Sequence, residues 1–135
     1  MGHVFVYGTL LPGEARWSYL EPFVVDDGLV DSVTGVLYDT GRGYPAASFA
    51  PVAGAGRRIT GRTFEFRDDG RDEALALLDE VEGAVAGLYR RVAVTTARGI
   101  DAWAYEYGGG LGLTTIEGGS WLGRPASPPA ADGAG

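Results

Sequence analysis

One helical pattern stands among several short strand-like segments, and this order constrains the fold more than any other feature of the sequence. Residues 71–83 read RDEALALLDEVEG, are acidic in their first turn and end on a glycine. Asp68, Asp69 and Gly70 precede them as candidate N-cap residues. These features are typical of a helix, which we predict over residues 71–83 and ending on Gly83.

The strand-like segments are rich in β-branched and aromatic residues or alternate apolar with polar residues. They lie at residues 3–7, 33–38, 47–49, 59–66, 88–97 and 102–107, with a short helical turn at 16–20. The RGID turn between the last two segments predicts a hairpin. Several strands, one helix and a hairpin predict an α+β fold with a mostly antiparallel or mixed sheet that curls into a small barrel.

The length of the chain, 135 residues, fits one domain with a single core. We assign that domain to residues 1–123 and expect the Pro-, Ala- and Gly-rich segment 124–135 to be a flexible tail. No apolar run approaches the roughly 20 residues that a membrane span requires, and the first residues lack the pattern of a signal peptide. We therefore expect a cytoplasmic protein without a membrane partner.

The residue counts exclude several classes of site. The chain has no cysteine, which rules out thiolate metal sites and cysteine nucleophiles, and its single histidine, His3, cannot build a His-rich metal site. We expect His3 to be a surface or strand-edge residue. A net charge of −7 argues against a nucleic-acid surface, which normally needs a basic stripe. We therefore predict no metal, no cofactor and no nucleic-acid partner.

One acidic residue of the helix falls on its apolar side. At about 100° per residue, the apolar arc contains Ala74, Leu75, Leu77, Leu78 and Val81. The solvated face contains Asp72, Glu73, Asp79 and Glu80. Glu82 lies four residues after Leu78 and seven after Leu75, so it projects toward the core or a cavity.

Burial would raise the pKa of Glu82 toward neutrality, which suits general acid–base catalysis. In the alternative interpretation the helix frays at this residue, and its side chain turns to solvent or pairs with Arg90 or Arg91. The periodicity of the helix does not decide between the two.

Five stretches, in collinear order over about residues 3–122, resemble the gamma-glutamylcyclotransferase-like family in its short bacterial branch. They are VYGTL at 6–10, GVLYDTGRGYPA at 35–46, LLDEVEGAVAGLYRRVAV at 77–94, AWAYEY at 102–107 and GGSW at 118–121. The resemblance implies a small mixed β-barrel with flanking helices and an active-site cavity beside the first loop. Members of this family cyclise gamma-glutamyl compounds to 5-oxoproline and release the free amine.

The resemblance also implies site residues. The family's catalytic glutamate immediately precedes a glycine, and in this sequence that residue is Glu82, the one that the helix periodicity indicates. The family's substrate-binding residues match Tyr7, Gly8, Thr9, Leu10 and Tyr89. A glycine allows close approach of a ligand to the backbone, so the N–H groups of residues 8–10 are candidates for holding a carboxylate or an oxyanion.

The leading hypothesis is therefore a cofactor-independent enzyme, a cyclising lyase or acyltransferase, that acts on a small gamma-glutamyl substrate with Glu82 as general acid and base. One alternative is removal of a gamma-glutamyl protecting group in a biosynthetic pathway, which is the same chemistry with another leaving amine. Another is a non-catalytic module of the same fold that binds small anions. For Trp121 we favour a role in anchoring the last segment over one in capping the pocket. The sequence gives no signal for the oligomeric state or the leaving amine.

Overall fold

A computed structural model describes residues 2–39, 45–49, 58–86, 89–107, 114–115 and 120–121. The proposed tail at 124–135 lies outside the described residues. The elements, in chain order, are β1 (His3–Val6), α1 (Trp17–Leu20), a 3-10 helix (Glu21–Phe23), β2 (Leu29–Thr34), β3 (Val36–Asp39), β4 (Pro45–Ser48), β5 (Arg58–Glu65), α2 (Arg71–Ala86), β6 (Tyr89–Thr95), β7 (Asp101–Tyr107) and β8 (Thr114–Thr115).

The strands form a five-stranded sheet in the order β2-β5-β1-β7-β6 and a three-stranded sheet in the order β4-β3-β8. Strand β1 is antiparallel to β5 and parallel to β7. The other pairings between these strands are antiparallel, including the predicted hairpin of β6 and β7. The α+β class with a mixed sheet is confirmed, whereas closure of the sheets into a barrel stays a prediction.

Strand β1 lies in the middle of the larger sheet and divides the core in two. Because side chains alternate along a strand, Val4 and Val6 join the cluster beneath α2, which also contains Leu75 and Leu78. Phe5 joins a second cluster between the two sheets. That cluster also contains Tyr7, Val33, Leu37, Ala47, Ile59, Ala102, Ala104 and Trp121.

The helix α2 buries the predicted apolar side. Ala74, Leu75 and Leu78 are buried, whereas Asp72 and Glu73 are exposed. The predicted end at Gly83 is wrong, since the helix continues to Ala86. A glycine inside a helix costs only about 1 kcal/mol relative to alanine, and the three residues after Gly83 are compatible with helix.

The single strand predicted at residues 33–38 is two strands in different sheets. Gly35 separates β2 from β3. A Cβ at this position would lie 2.6 Å from the carbonyl oxygen of Ser48, so close packing of β4 requires the glycine. The strand predicted at 47–49 begins earlier, as Pro45–Ser48.

The histidine is placed differently from our expectation. His3 is half-buried and lies in the central strand β1, where it pairs with Glu65, rather than at a sheet edge. In the part of the chain that the structure describes, no helix has the length and apolar character needed to cross a membrane.

Candidate active site

The segment after β1 forms a compact turn. The N–H of Leu11 donates to the carbonyl oxygen of Gly8 at 3.0 Å, and the N–H of Arg16 donates to that of Thr9 at 2.7 Å. Gly8, Thr9 and Leu10 are all buried. Among the described residues, no acceptor is hydrogen-bonded to the backbone N–H groups of these three. That these N–H groups hold a carboxylate or an oxyanion stays a prediction.

Tyr7, which the resemblance assigned to substrate binding, is largely a core residue. Its side chain is 6% exposed, and its ring lies edge-on to Phe49 with the centroids 6.2 Å apart. The hydroxyl donates to the backbone carbonyl oxygen of Tyr105 at 2.5 Å. The oxygen of that hydroxyl can still accept a hydrogen bond, and its contact with a substrate stays a prediction.

The sheet register brings the carboxyl ends of β1 and α2 to the same edge of the fold. Because β1 and β7 are parallel, with Val4 level with Trp103, both strands run toward this edge. Tyr107 at the end of β7 pairs with Tyr89 at the start of β6. Only two residues separate Tyr89 from Ala86 at the end of α2, a link that spans about 11 Å at most.

The backbone of Glu82 belongs to α2 and directly precedes Gly83, within the last two turns of that helix. The side chain of Glu82 lies outside the described residues, so its inward orientation stays a prediction. Tyr89, the predicted pocket tyrosine, is half-buried and packs against the core cluster beneath α2. The side chain of Arg90 also lies outside the described residues.

Asp79 was predicted to lie on the solvated face of α2, and this is confirmed, since its side chain is 44% exposed, but it also contacts the sheet. Its Oδ1 accepts a hydrogen bond from the hydroxyl of Tyr105 at 2.7 Å and lies 3.1 Å from Nε of Arg91. The sequence contained a signal for this contact, because Asp79 follows the buried Leu75 by four residues and so lies about 40° from it on the helix. Asp79 thus joins α2 to the sheet one turn before Glu82.

A cleft of about 240 Å³ opens beside the turn. Its lining residues are Leu11, Pro12, Val30, Thr60, Gly61, Arg62, Ser120 and Trp121. Trp121 is 3% exposed and belongs to the core between the sheets, which confirms the anchoring role and adds a wall of the cleft. Most of the lining residues are apolar or uncharged, and the charged one among them is Arg62, whose Nη1 donates to the carbonyl oxygen of Asp27 at 3.0 Å.

A second acidic residue, Asp31 on β2, is buried, and its hydrogen bonds give it a structural role. Its carboxylate accepts hydrogen bonds from the hydroxyl of Thr63 at 2.8 Å and from the N–H groups of Ser32 and Arg98. Burial alone would raise its pKa, but these bonds and one from the side chain of Thr96 together lower the pKa below its usual value. Asp31 therefore stays ionised and fixes the turn between β6 and β7 onto β2.

The fold is that of a known family of small α+β domains. The family model for gamma-glutamyl cyclotransferase, AIG2-like, matches residues 4–123, so the chain belongs to this family. This family is generally enzymatic. No curated protein sequence matches the chain significantly.

Solved structures share the fold. An uncharacterized protein, PH0828 from Pyrococcus horikoshii, is 24% identical with a TM-score of 0.66, and the match covers 90% of each chain. An AIG2-like protein from Mus musculus is 18% identical with a TM-score of 0.58 over 94% of this chain and 86% of its own. The allophanate hydrolase of Kluyveromyces lactis is 16% identical with a TM-score of 0.64 over 90% of this chain but 20% of its own. At these identities the likeness concerns the fold alone.

Proposed function

We propose that this protein is a gamma-glutamyl cyclotransferase-type enzyme that converts a gamma-glutamyl amine or amino acid into 5-oxoproline and the free amine. Glu82 is its general acid and base. The family match over residues 4–123 supports this assignment, because it spans both the turn after β1 and the Glu-Gly pair in α2. The carboxyl ends of β1 and α2 share one edge of the fold, which is the arrangement that such a site requires.

The reaction needs one carboxylate in the right position. A gamma-glutamyl group carries an α-ammonium, an α-carboxylate and a side-chain amide. Glu82 accepts a proton from the ammonium, and the neutral nitrogen attacks the γ-carbonyl carbon to close a five-membered ring. The amide C–N bond then breaks, and protonated Glu82 delivers its proton to the leaving nitrogen. Over the cycle the α-nitrogen loses two protons and the leaving nitrogen gains two, so Glu82 acts twice.

The turn after β1 supplies the electrostatic part of the proposal. The N–H groups of Gly8, Thr9 and Leu10 hold the α-carboxylate or the oxyanion that develops on the γ-carbonyl oxygen. Donors fixed by a folded turn need no reorganisation as the charge develops, and one such donor contributes about 10²–10³ in kcat. Because attack is intramolecular, holding nitrogen and carbonyl in one conformer supplies a further part of the rate.

The identity of the leaving amine distinguishes the two enzymatic hypotheses. A metabolic cyclotransferase and an enzyme that removes a gamma-glutamyl protecting group share the ring closure and differ only in what departs. The cleft lined by Leu11, Arg62 and Trp121 lies beside the turn, and we assign the leaving amine to it. Its mostly apolar or uncharged lining, with Arg62 as the charged residue, favours an amine that bears an apolar group and a carboxylate.

The decisive experiment measures 5-oxoproline formation from a panel of gamma-glutamyl amino acids and gamma-glutamyl amines. Glu82→Gln removes the carboxylate with little change in shape, and we expect kcat/KM to fall by about 10²–10⁴. Glu80→Gln, an exposed glutamate on the same helix, is the matched control. Its activity should stay within about twofold of wild type, since surface changes away from a site have small effects.

Two outcomes would overturn the proposal. If wild type forms no 5-oxoproline from any member of the panel, the non-catalytic alternative is favoured, and binding of free glutamate or 5-oxoproline by calorimetry then tests it. If Glu82→Gln retains the activity of Glu80→Gln, the reaction is present but another group moves the protons.

A further inference from the structure

Tyr105 is hydrogen-bonded at both its backbone and its side chain, and these two bonds lead to the two halves of the proposed site. Its backbone carbonyl oxygen accepts the hydroxyl of Tyr7 at 2.5 Å. Its own hydroxyl donates to Oδ1 of Asp79 at 2.7 Å. Tyr105 is 5% exposed and belongs to the core cluster beneath α2. Its position is therefore fixed by packing as well as by hydrogen bonds.

The partners of Tyr105 are each adjacent to a proposed functional group. Tyr7 immediately precedes Gly8, the first donor of the turn. Asp79 precedes Glu82 by three residues on α2, a distance of about 4.5 Å along the helix axis. Residues three apart lie on neighbouring parts of one helix face. A change at Tyr105 would therefore be transmitted to both the turn and Glu82.

The carboxylate of Asp79 is held by a second strand as well. Nε of Arg91, on β6, lies 3.1 Å from the same Oδ1 that accepts the hydroxyl of Tyr105. The guanidinium of Arg91 stacks on Trp103 of β7, with its central carbon 4.5 Å from the ring centroid. Arg91 thus cannot follow Asp79 freely if α2 shifts, because its planar group is held against the sheet. Two donors from neighbouring strands define the position of one carboxylate on the helix.

We propose that Asp79 and Tyr105 are positioning residues that hold α2, and with it Glu82, in register with the turn after β1. This inference rests on the proposed function, because it assigns a role relative to the reaction of Glu82. Neither residue moves a proton in the reaction. Their contribution is geometric, and a displacement of about 1 Å at a reacting group costs about 10²-fold in rate.

The test is a double-mutant cycle in 5-oxoproline formation. Tyr105→Phe keeps the ring and the backbone carbonyl but removes the hydroxyl from Asp79. Asp79→Ala removes the acceptor. We expect each single variant to lower kcat by about tenfold or more and to keep KM within about threefold of wild type. This pattern is typical of a change that misplaces the catalytic group and leaves substrate binding intact. The double variant should lie within about twofold of the lower single one, because both changes break the same link.

Two further variants distinguish positioning from general stability. Asp79→Asn retains an oxygen that accepts the hydroxyl of Tyr105, so it should restore kcat to within about threefold of wild type. Tyr19→Phe removes the hydroxyl of an exposed tyrosine and should change nothing. Urea unfolding of each variant shows that the assays contain folded protein.

The outcomes separate this inference from the proposed function. If wild type produces no 5-oxoproline, the proposed function fails and the positioning role with it. If wild type is active but Tyr105→Phe and Asp79→Ala keep its kcat, only the positioning role fails. Additive losses in the double variant would also overturn it, since they would mean that the two residues act separately.

Discussion

Gly61 on β5 packs directly against the backbone carbonyl oxygen of Val6, the last residue of β1. A Cβ at position 61 would overlap with that oxygen and lie 2.9 Å from Cζ of Phe5. Gly61→Ala must therefore push β1 away from β5, and we expect a loss of about 1–3 kcal/mol in the free energy of unfolding. Because Val6 leads into the proposed donor turn, kcat/KM for 5-oxoproline formation should fall as well. Urea unfolding and the activity assay check the two effects.

The control for this substitution is Gly2→Ala. A Cβ at Gly2 would have no atom within 4 Å, so its free energy of unfolding should stay within about 0.5 kcal/mol of wild type. Equal stability of the Gly61→Ala and Gly2→Ala variants would show that β1 and β5 tolerate the extra methyl group.

The sequence correctly predicted those helices and strands whose pattern lies within a short stretch of the chain. The apolar spacing of α2 and the RGID turn between β6 and β7 each lie within a short stretch, and the helix and the hairpin were found where these patterns indicated. The break at Gly35 depends on the approach of Ser48 from another strand. Such a contact is non-local, and no pattern around Gly35 contains it.

For the candidate site, too, the sequence predicted what a local pattern carries and missed the contacts between distant residues. Helix periodicity and the resemblance both indicate Glu82, and the roles of Glu82 and of the turn after β1 stay predictions. The exposure of Asp79 was predicted, but its contacts with Tyr105 and Arg91 were not, because they join the helix to strands elsewhere in the chain. The hydrogen bond from Tyr7 to the backbone of Tyr105 joins residues 98 apart in the chain, so no local pattern predicts it.

The buried carboxylate of Asp31 predicts a specific dependence of stability on pH. Although burial acts to raise its pKa, hydrogen bonds from Thr96, Ser32, Thr63 and Arg98 lower it in the folded state. The carboxylate therefore contributes stability above its unfolded pKa of about 3.9, and this contribution is lost as the pH falls through the lower folded value. Asp31→Asn should reduce the free energy of unfolding by about 1–3 kcal/mol at neutral pH.

The two stability curves should converge in acid, because the asparagine side chain does not titrate. Urea unfolding of wild type and Asp31→Asn between about pH 7 and pH 2 measures this convergence. Asp26→Asn is the control, since Asp26 is exposed and accepts one local N–H from Gly28. A constant difference between wild type and Asp31→Asn across the whole range would contradict the lowered pKa.

Removal of the hydroxyl of Tyr7 should destabilise the fold without a change in packing. Tyr7→Phe leaves the buried carbonyl oxygen of Tyr105 without this donor, which costs about 1–2 kcal/mol. The ring contacts with Phe5 and Phe49 remain. Urea unfolding measures the loss against Tyr19→Phe, whose hydroxyl lies on an exposed side chain. If the two variants are equally stable, the bond between Tyr7 and Tyr105 contributes nothing measurable.

The proposed reaction predicts different roles for the hydroxyl and the backbone N–H of Thr9, and substitutions can separate the two. If the N–H groups of the turn hold the carboxylate or the oxyanion, the hydroxyl of Thr9 is not the essential donor. Thr9→Ala keeps the N–H and should retain kcat/KM to within about threefold, whereas loss of a true oxyanion donor costs about 10²–10³. Thr9→Ser, which keeps the hydroxyl and removes only a methyl group, is the matched comparison. Should Thr9→Ala lose activity by that larger factor while Thr9→Ser keeps it, the hydroxyl and not the backbone binds the developing charge.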